Sequence, residues 1–225
     1  MEFRNTPVTS IPERIENYFR QHASRKIHII IIGANNGITE DFLSAYMKKS
    51  NSVGVLVEPV SYLFKTLQET FKGYSDLYFE NSAVYTKNCK RAFYRVEKAP
   101  ELPDWAEGLG SFNKKNILHH VNQVPALKSH LVKETVNCLT FDALVKKYNF
   151  NTIDILQIDV EGYDFEIIKN IDFETHRPKM IIVEILHLSI YECFALINYL
   201  TEKQYTVSKN ANTFDLFATD NLQSV

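Results

Sequence analysis

Four short stretches carry residue types that can do chemistry, and each stands where an apolar run stops. Gly33-Ala-Asn-Asn-Gly37 follows Ile27 to Ile32, and Glu58-Pro59 follows Val53 to Val57. Asp159-Val-Glu-Gly162 follows Ile153 to Ile158, and Glu184-Ile-Leu-His187 ends the run that begins at Lys179. A glycine turn lets the backbone approach a guest, and free N–H groups at a following helix start favour a carboxylate or phosphate. Glu58, about 20 residues further on, stands where a carboxylate accepts two ribose hydroxyls of a nucleoside. Asp159 and Glu161 are candidates to hold a substrate amine, take a proton or bind a hard cation such as Mg²⁺. His187 adds a base or an acceptor ligand. Each stretch also has a plain reading: a ligand-free turn, a surface Glu before proline, acids favoured by a helix dipole, a structural histidine. The dipole accounts for Asp164 but not for Asp159, which directly follows Leu156-Gln-Ile158.

The elements needed to bring these stretches together are visible as periodicity. Ile27 to Ile32, Val53 to Val57, Ile153 to Ile158 and Lys179 to Ile185 are nearly continuous apolar runs, the pattern of parallel strands covered on both faces. Leu77 to Glu80 predicts a short third strand, Arg91 to Val96 an extra one and Val136 to Leu139 another. Between them fall helical patterns at Ile38 to Lys49, Ser61 to Lys72, Phe141 to Tyr148, Phe165 to Ile171 and Ser189 to Lys203. Ser10-Ile-Pro-Glu13 has the spacing of a capping box ahead of a leading amphipathic helix. Tyr205 to Ser208 and Phe214 to Ala218 lie too close for a helical crossover and should pair antiparallel. The fold class expected is α/β, a Rossmann-like, mostly parallel sheet with an antiparallel C-terminal hairpin, and ligands in such sheets sit at the strands' carboxyl ends. Residues 1–26 read as an N-terminal helical extension and 27–220 as the main domain. Lys98 to Lys133 reads as an irregular insertion, an acceptor lid whose Lys114, Lys115, His119, His120, Lys128, His130 and Lys133 suit an anionic acceptor.

Composition bounds the partners. Twenty-five Lys and Arg against 27 Asp and Glu give a formal net charge of -2, which argues against a phosphate backbone as the main partner. No apolar stretch approaches the roughly 20 residues of a membrane span. Met1 to Ser10 lacks the apolar core of a signal peptide, and Cys89, Cys138 and Cys193 are odd in number and far apart. A reduced, cytoplasmic chain without structural zinc is expected.

The motifs also stand in a recognisable order. Ile32-Gly-Ala-Asn-Asn-Gly37, Gly54-Val-Leu-Val-Glu-Pro59 with Leu63-Phe64, Asn81-Ser-Ala83 and Gly110-Ser-Phe112 come first. Thr140-Phe-Asp142, Asp154 through Asp164 and Glu184-Ile-Leu-His-Leu188 follow. In this order they resemble the FkbM family of methyltransferases over roughly residues 27 to 218. The resemblance implies transfer of a methyl group from S-adenosylmethionine, usually to a hydroxyl oxygen of a sugar or natural product. It implies that Gly33, Ala34, Asn35 and Gly37 hold the methionine part, Glu58 with Pro59 the ribose, and Asn81, Ser82 and Ala83 the adenine. Asp159 and Glu161 would face the reacting centre, with Asp159 the first choice as base and Glu161 and His187 behind it. Family members often carry an acidic residue where Ile31 stands and Asp where Asn36 stands.

Two other readings stay open. A nicotinamide-dependent oxidoreductase would use the same turn and Glu58, although G-x-x-x-G is not the dinucleotide G-x-G-x-x-G. A nucleoside-binding module without turnover would keep the fold alone. A divalent cation activating the acceptor hydroxyl is a variant that the sequence does not favour, and no metal-ligand set is assigned.

Overall fold

The computed structural model describes residues 10–38, 42–49, 51–209 and 213–222. The leader reading of Met1 to Ser10 and the first turn expected of the Ile38 to Lys49 helix fall, apart from Ser10 and Ile38, outside the described residues. In chain order the first half holds α1 (Ile11–Gln21), β1 (Ile27–Ile32), α2 (Phe42–Lys49), β2 (Ser52–Val57), α3 (Ser61–Thr70) and β3 (Leu77–Glu80). The middle holds β4 (Ala83–Val84), β5 (Cys89–Val96), β6 (Gly110–Ser111), α4 (Lys114–His119) and β7 (Leu131–Leu139). The last part holds α5 (Phe141–Lys147), β8 (Ile155–Ile158), α6 (Asp164–Lys169), β9 (Met180–Glu184), α7 (Ile190–Glu202), β10 (Tyr205–Lys209) and β11 (Asp215–Asp220).

The main sheet has seven strands in the order β10-β11-β9-β8-β1-β2-β3. β1 lies parallel to β2 on one side and to β8 on the other, while β11 runs antiparallel to both β9 and β10. Continuous apolar strands follow from burial on both faces. Ile30, Val55, Leu156 and Ile181 pack with α5, α6 and α7. Ile29, Ile31, Leu56 and Ile155 face the opposite way, toward α1, α2 and α3.

The expected capping box opens α1: the Ser10 hydroxyl accepts the Glu13 N–H, and Glu13 Oε2 accepts the Ser10 N–H at 2.9 Å. Ile11, Ile15, Tyr18 and Phe19 enter the same core as β1. A buried ionic knot then ties this segment to β8. Asp154 accepts from both Arg25 guanidinium nitrogens at 2.8 and 2.7 Å, from the Tyr18 hydroxyl at 2.7 Å and from the His28 N–H at 2.8 Å. These partners hold the Asp154 carboxyl far below the usual range despite its burial.

A second sheet, β4-β7-β5-β6, was not expected as a unit. The strands predicted at Arg91 to Val96 and Val136 to Leu139 are parts of one long antiparallel pair, in register from Cys89 opposite Cys138 to Val96 opposite Leu131. Solvent on one face mixes charges into both strands and shortens their apolar signature. Residues 98–133 are also more ordered than the irregular lid expected of them. α4 and three short 3₁₀ turns close over their own core of Val96, Leu102, Ala106, Leu109, Ile117 and Leu127. The segment is a packed cap on the second sheet.

Candidate active site

β1 is where the strand order reverses, since its two neighbours continue in opposite directions across the sheet. At the carboxyl ends of β1, β2 and β8 a cleft opens, walled on its far side by the cap. Its floor is the turn after β1. Gly33 has φ +86° and lies so close to β8 that a Cβ would land on the Asp159 carbonyl oxygen. The N–H groups of this turn are already engaged. Gly33 and Ala34 both donate to the Val57 carbonyl, at 3.0 and 2.9 Å, and Gly37 donates to Ala34. Asn35 N–H donates to Glu58, while the Asn36 and Ile38 N–H groups bond the side chains of Asn35 and Asn36. Among the described residues the turn therefore offers no free N–H group to a carboxylate or phosphate, and it shapes the floor instead.

Glu58, 5% exposed, accepts from the Asn35 N–H at 3.0 Å and from the Val60 N–H at 2.7 Å. Burial outweighs these two bonds and pushes its carboxyl up to about 7. Asn81 does not line the cleft. Its amide donates to the carbonyls of Glu58 and Pro59 at 2.9 and 3.1 Å, which fixes the backbone that aims Glu58. Ser82 and Ala83 do line it, as do Gly33, Ala34 and Asn35. Gly37 stands behind the floor, packed against Phe71 and Leu67.

The loop after β8 is held from both sides. Asp164, buried at 1% exposure, accepts the N–H groups of Val160 and Gly162 at 3.0 and 2.9 Å. Burial pushes its carboxyl up to about 7. Its role is to pin the loop, beyond what a helix dipole asks. The pinned loop places Glu161 in the left-handed region at φ +56°. From the cap, the Ser111 hydroxyl and the Asn116 amide both donate to the Glu161 carbonyl, at 2.8 and 2.6 Å. Asp159 faces the cleft, where water reaches its side chain through the mouth while protein encloses it elsewhere. Enclosure and the negative charges of Glu161 and Asp164 raise its carboxyl above the ordinary range, moderated while water has access. Glu184 behind it is pushed up to about 11 by burial and by Asp159. The side-chain oxygen of Gln157, buried in the cleft floor, has no hydrogen-bond partner.

His187 does not line the cleft. Its Nε2 is 2.6 Å from Glu161 Oε2 and 3.4 Å from the Nε2 of His120, which the cap brings over. Burial lowers the His120 imidazole below its ordinary value. Phe93, Phe112 and Tyr163 supply an aromatic wall, with Phe112 edge-on to both others at 5.2 Å. Sequence reasoning missed Gln157, the aromatic wall and the nearness of His120. The Gly110-Ser-Phe112 and Asp154 to Asp164 motifs contain Phe112, Gln157 and Tyr163 without marking their roles, and the sequence presents His120 only as one of several basic cap residues. Among the described residues no Lys or Arg lines this cleft, so the basic residues of the cap do not face it.

The profile of the methyltransferase FkbM domain matches residues 32–207. The chain belongs to the FkbM methyltransferase-domain family. No curated protein matches the sequence. The fold is similar to that of the methyltransferase FkbM from Methylobacillus flagellatus KT, at TM-score 0.55 and 11% identity. That match covers 86% of this chain but 43% of the other, so this chain spans less than half of that relative's length. The METTL16 methyltransferase domain matches at TM-score 0.50 and 10% identity, over 95% of this chain and 66% of that one. Among the described residues no helix is long and apolar enough to cross a membrane.

The cofactor this FkbM domain implies is S-adenosylmethionine, and the residues present fit it. A buried carboxylate at the end of β2 suits a ribose diol, and the unpartnered Gln157 oxygen awaits a donor. A cleft whose described lining holds Glu58, Asp159 and Glu161 but no Lys or Arg suits a ligand bearing a sulfonium and an ammonium group.

Proposed function

We propose that this FkbM-family chain is an S-adenosylmethionine-dependent O-methyltransferase acting on a hydroxyl of a sugar, glycan or natural-product acceptor. One observation carries the reading. Among the described residues the cleft at the topological switch point is lined by carboxylates and no cation, and the N–H groups of its glycine turn are bonded internally. A dinucleotide would bring a pyrophosphate into a cleft lined by Asp159 and Glu161, past a turn whose N–H groups are already bonded, so the nicotinamide alternative is disfavoured by charge as well as by glycine spacing.

On this reading Gly33, Ala34 and Asn35 form the floor under the methionine part, with Gly37 holding the turn from behind. Glu58 takes the ribose hydroxyls beside Pro59. Ser82 and Ala83 lie by the adenine, with Asn81 as the residue that positions Glu58. When bound, the cofactor supplies an electrophilic methyl carbon on a sulfonium. The chain orients an acceptor hydroxyl in line with that carbon and keeps bulk water out with the cap. Asp159 receives the hydroxyl proton, with Glu161 as the next candidate and His187 reaching the site through its contact with Glu161. Gly33, Ala34, Asn35 and Glu58 would hold the cofactor while its methyl group passes to the acceptor oxygen, with a methyl ether and S-adenosylhomocysteine as the products.

The acceptor enters between the cleft and the cap of residues 98–133, within a catalytic domain of residues 27–220. Because the cap lysines do not face the cleft, a neutral polyol fits it better than the anionic acceptor first expected. The exclusion of nucleic acid is not carried forward, since net charge describes the whole surface and not one cleft. Three free thiols fit a cytoplasmic setting. The test is release of S-adenosylhomocysteine across a panel of sugars, glycans and polyketide alcohols, alongside calorimetry with S-adenosylmethionine and NAD. Cofactor-dependent release with one hydroxyl acceptor supports the reading; NAD binding in its place would overturn it.

A further inference from the structure

Where the acidic loop meets the cap lies a cluster whose geometry a proton transfer to Asp159 does not by itself explain. His120 follows α4 in the cap, Glu161 sits on the loop after β8, and His187 lies on the segment between β9 and α7. One ligand atom from each falls within 4.8 Å of the other two. We propose that His120 Nε2, His187 Nε2 and the Glu161 carboxylate form a three-ligand site for a borderline divalent transition-metal ion, Zn²⁺ above all. Three protein ligands leave a fourth tetrahedral position to water or another small ligand.

Geometry supports this reading. Two imidazole nitrogens bound at the usual Zn–N length of about 2.0–2.1 Å in a tetrahedron lie about 3.4 Å apart. The observed separation of the two Nε2 atoms is 3.4 Å. Two ring nitrogens facing each other while one also meets a carboxylate oxygen at 2.6 Å leave a proton able to serve only part of the set. A cation in the shared space satisfies all three, and Glu161 then withdraws by less than about 1 Å from its hydrogen bond.

The ligands are also held in place. The His187 side chain is 3% exposed and that of Glu161 19%. Glu161 keeps its left-handed backbone because Asp164, Ser111 and Asn116 grip the loop around it. Trp105 packs edge-on against the His120 ring, with ring centres 5.4 Å apart. Two nitrogens and one carboxylate suit Zn²⁺, Co²⁺ or Fe²⁺, and the compact spacing favours tetrahedral Zn²⁺, whereas Mg²⁺ prefers an all-oxygen octahedron. Ion binding does not depend on the methyltransferase reading. A role for the open position in gripping an acceptor oxygen does rest on it.

The full chain, stripped with chelator and dialysed, is titrated with Zn²⁺ by calorimetry at fixed pH, then with Co²⁺ by visible absorption. The expected result is one Zn²⁺ per chain with Kd at or below about 10 µM, the intense visible bands of tetrahedral Co²⁺, and no heat with Mg²⁺. His120→Asn, His187→Ala and Glu161→Gln should each weaken Zn²⁺ about 100-fold or more, while His119→Ala, beside the cluster, should leave it unchanged. Circular dichroism checks that each variant is folded. If His187→Ala is unfolded, the Co²⁺ spectra of His120→Asn and Glu161→Gln decide. Absence of Zn²⁺ binding in the parent chain, or equal binding in folded His120→Asn and Glu161→Gln, overturns the proposal. S-adenosylmethionine binding measured in parallel without metal tests the cofactor reading separately.

Discussion

Glu58 couples cofactor binding to pH in a way that can be worked out from its surroundings. In the open cleft its carboxyl sits near 7 instead of the ordinary 4.5, because burial outweighs the Asn35 and Val60 N–H bonds. Two ribose hydroxyls donating to it require the ionised form, so binding below that value must first expel a proton. With one group at about 7, the Kd for S-adenosylmethionine should be about tenfold weaker at pH 6 than at pH 8, about 1.4 kcal/mol. Calorimetry in buffers of different ionisation enthalpy should register release of about 0.9 protons at pH 6 and about 0.1 at pH 8. Glu58→Gln should abolish that dependence and weaken binding at pH 8 by about 1–3 kcal/mol, the scale for bonds to a charged acceptor. The sign for the free protein is opposite to that of an ion-paired acid. A raised carboxyl binds protons in the folded state, so stability is highest at low pH and falls as pH rises from about 4.5 through 7, by about 3 kcal/mol in all. Glu58→Gln should flatten this part of the urea-unfolding profile. Equal proton release in parent and variant would refute both the burial argument and the ribose assignment.

Asp159→Asn keeps the shape of the loop but removes its charge, and with the acceptor found by the release screen it should cut turnover about 10²–10⁴-fold. Cofactor affinity should change far less, a split read directly from kcat and Kd. Gly33→Ala should destabilise the fold by more than about 2 kcal/mol in thermal or urea unfolding, since φ +86° and the Asp159 carbonyl both forbid a Cβ. Unfolding indistinguishable from the parent would show that the floor of the cleft is looser than described. Arg25→Ala leaves Asp154 buried with one fewer cation and should cost about 3 kcal/mol in urea unfolding, the low end for a broken buried pair because Arg25 is partly exposed. A loss under about 1 kcal/mol would make the knot a surface ion pair in energetic terms.

The sequence by itself determined the main sheet, because its strands are buried on both faces and burial writes itself as unbroken apolar runs such as Ile27 to Ile32. It also determined where the cleft lies. Glycine and carboxylate at successive strand ends are local signals, and the parallel topology carries them to one edge. The tertiary structure decided what those residues do there. Only packing shows that the N–H groups of the Gly33 to Gly37 turn are already bonded, that Asn81 works through the backbone of Glu58, and that Asp164 pins the loop. The second sheet stayed hidden because one of its faces meets solvent, so charge interrupts the strand pattern of β5 and β7. His120 stayed hidden for a different reason. It lies far from Glu161 and His187 in sequence, and a ligand set assembled from three elements leaves no spacing to read. Its nitrogen reaches His187 only because the cap folds on its own core and is bonded to the acidic loop through Ser111 and Asn116.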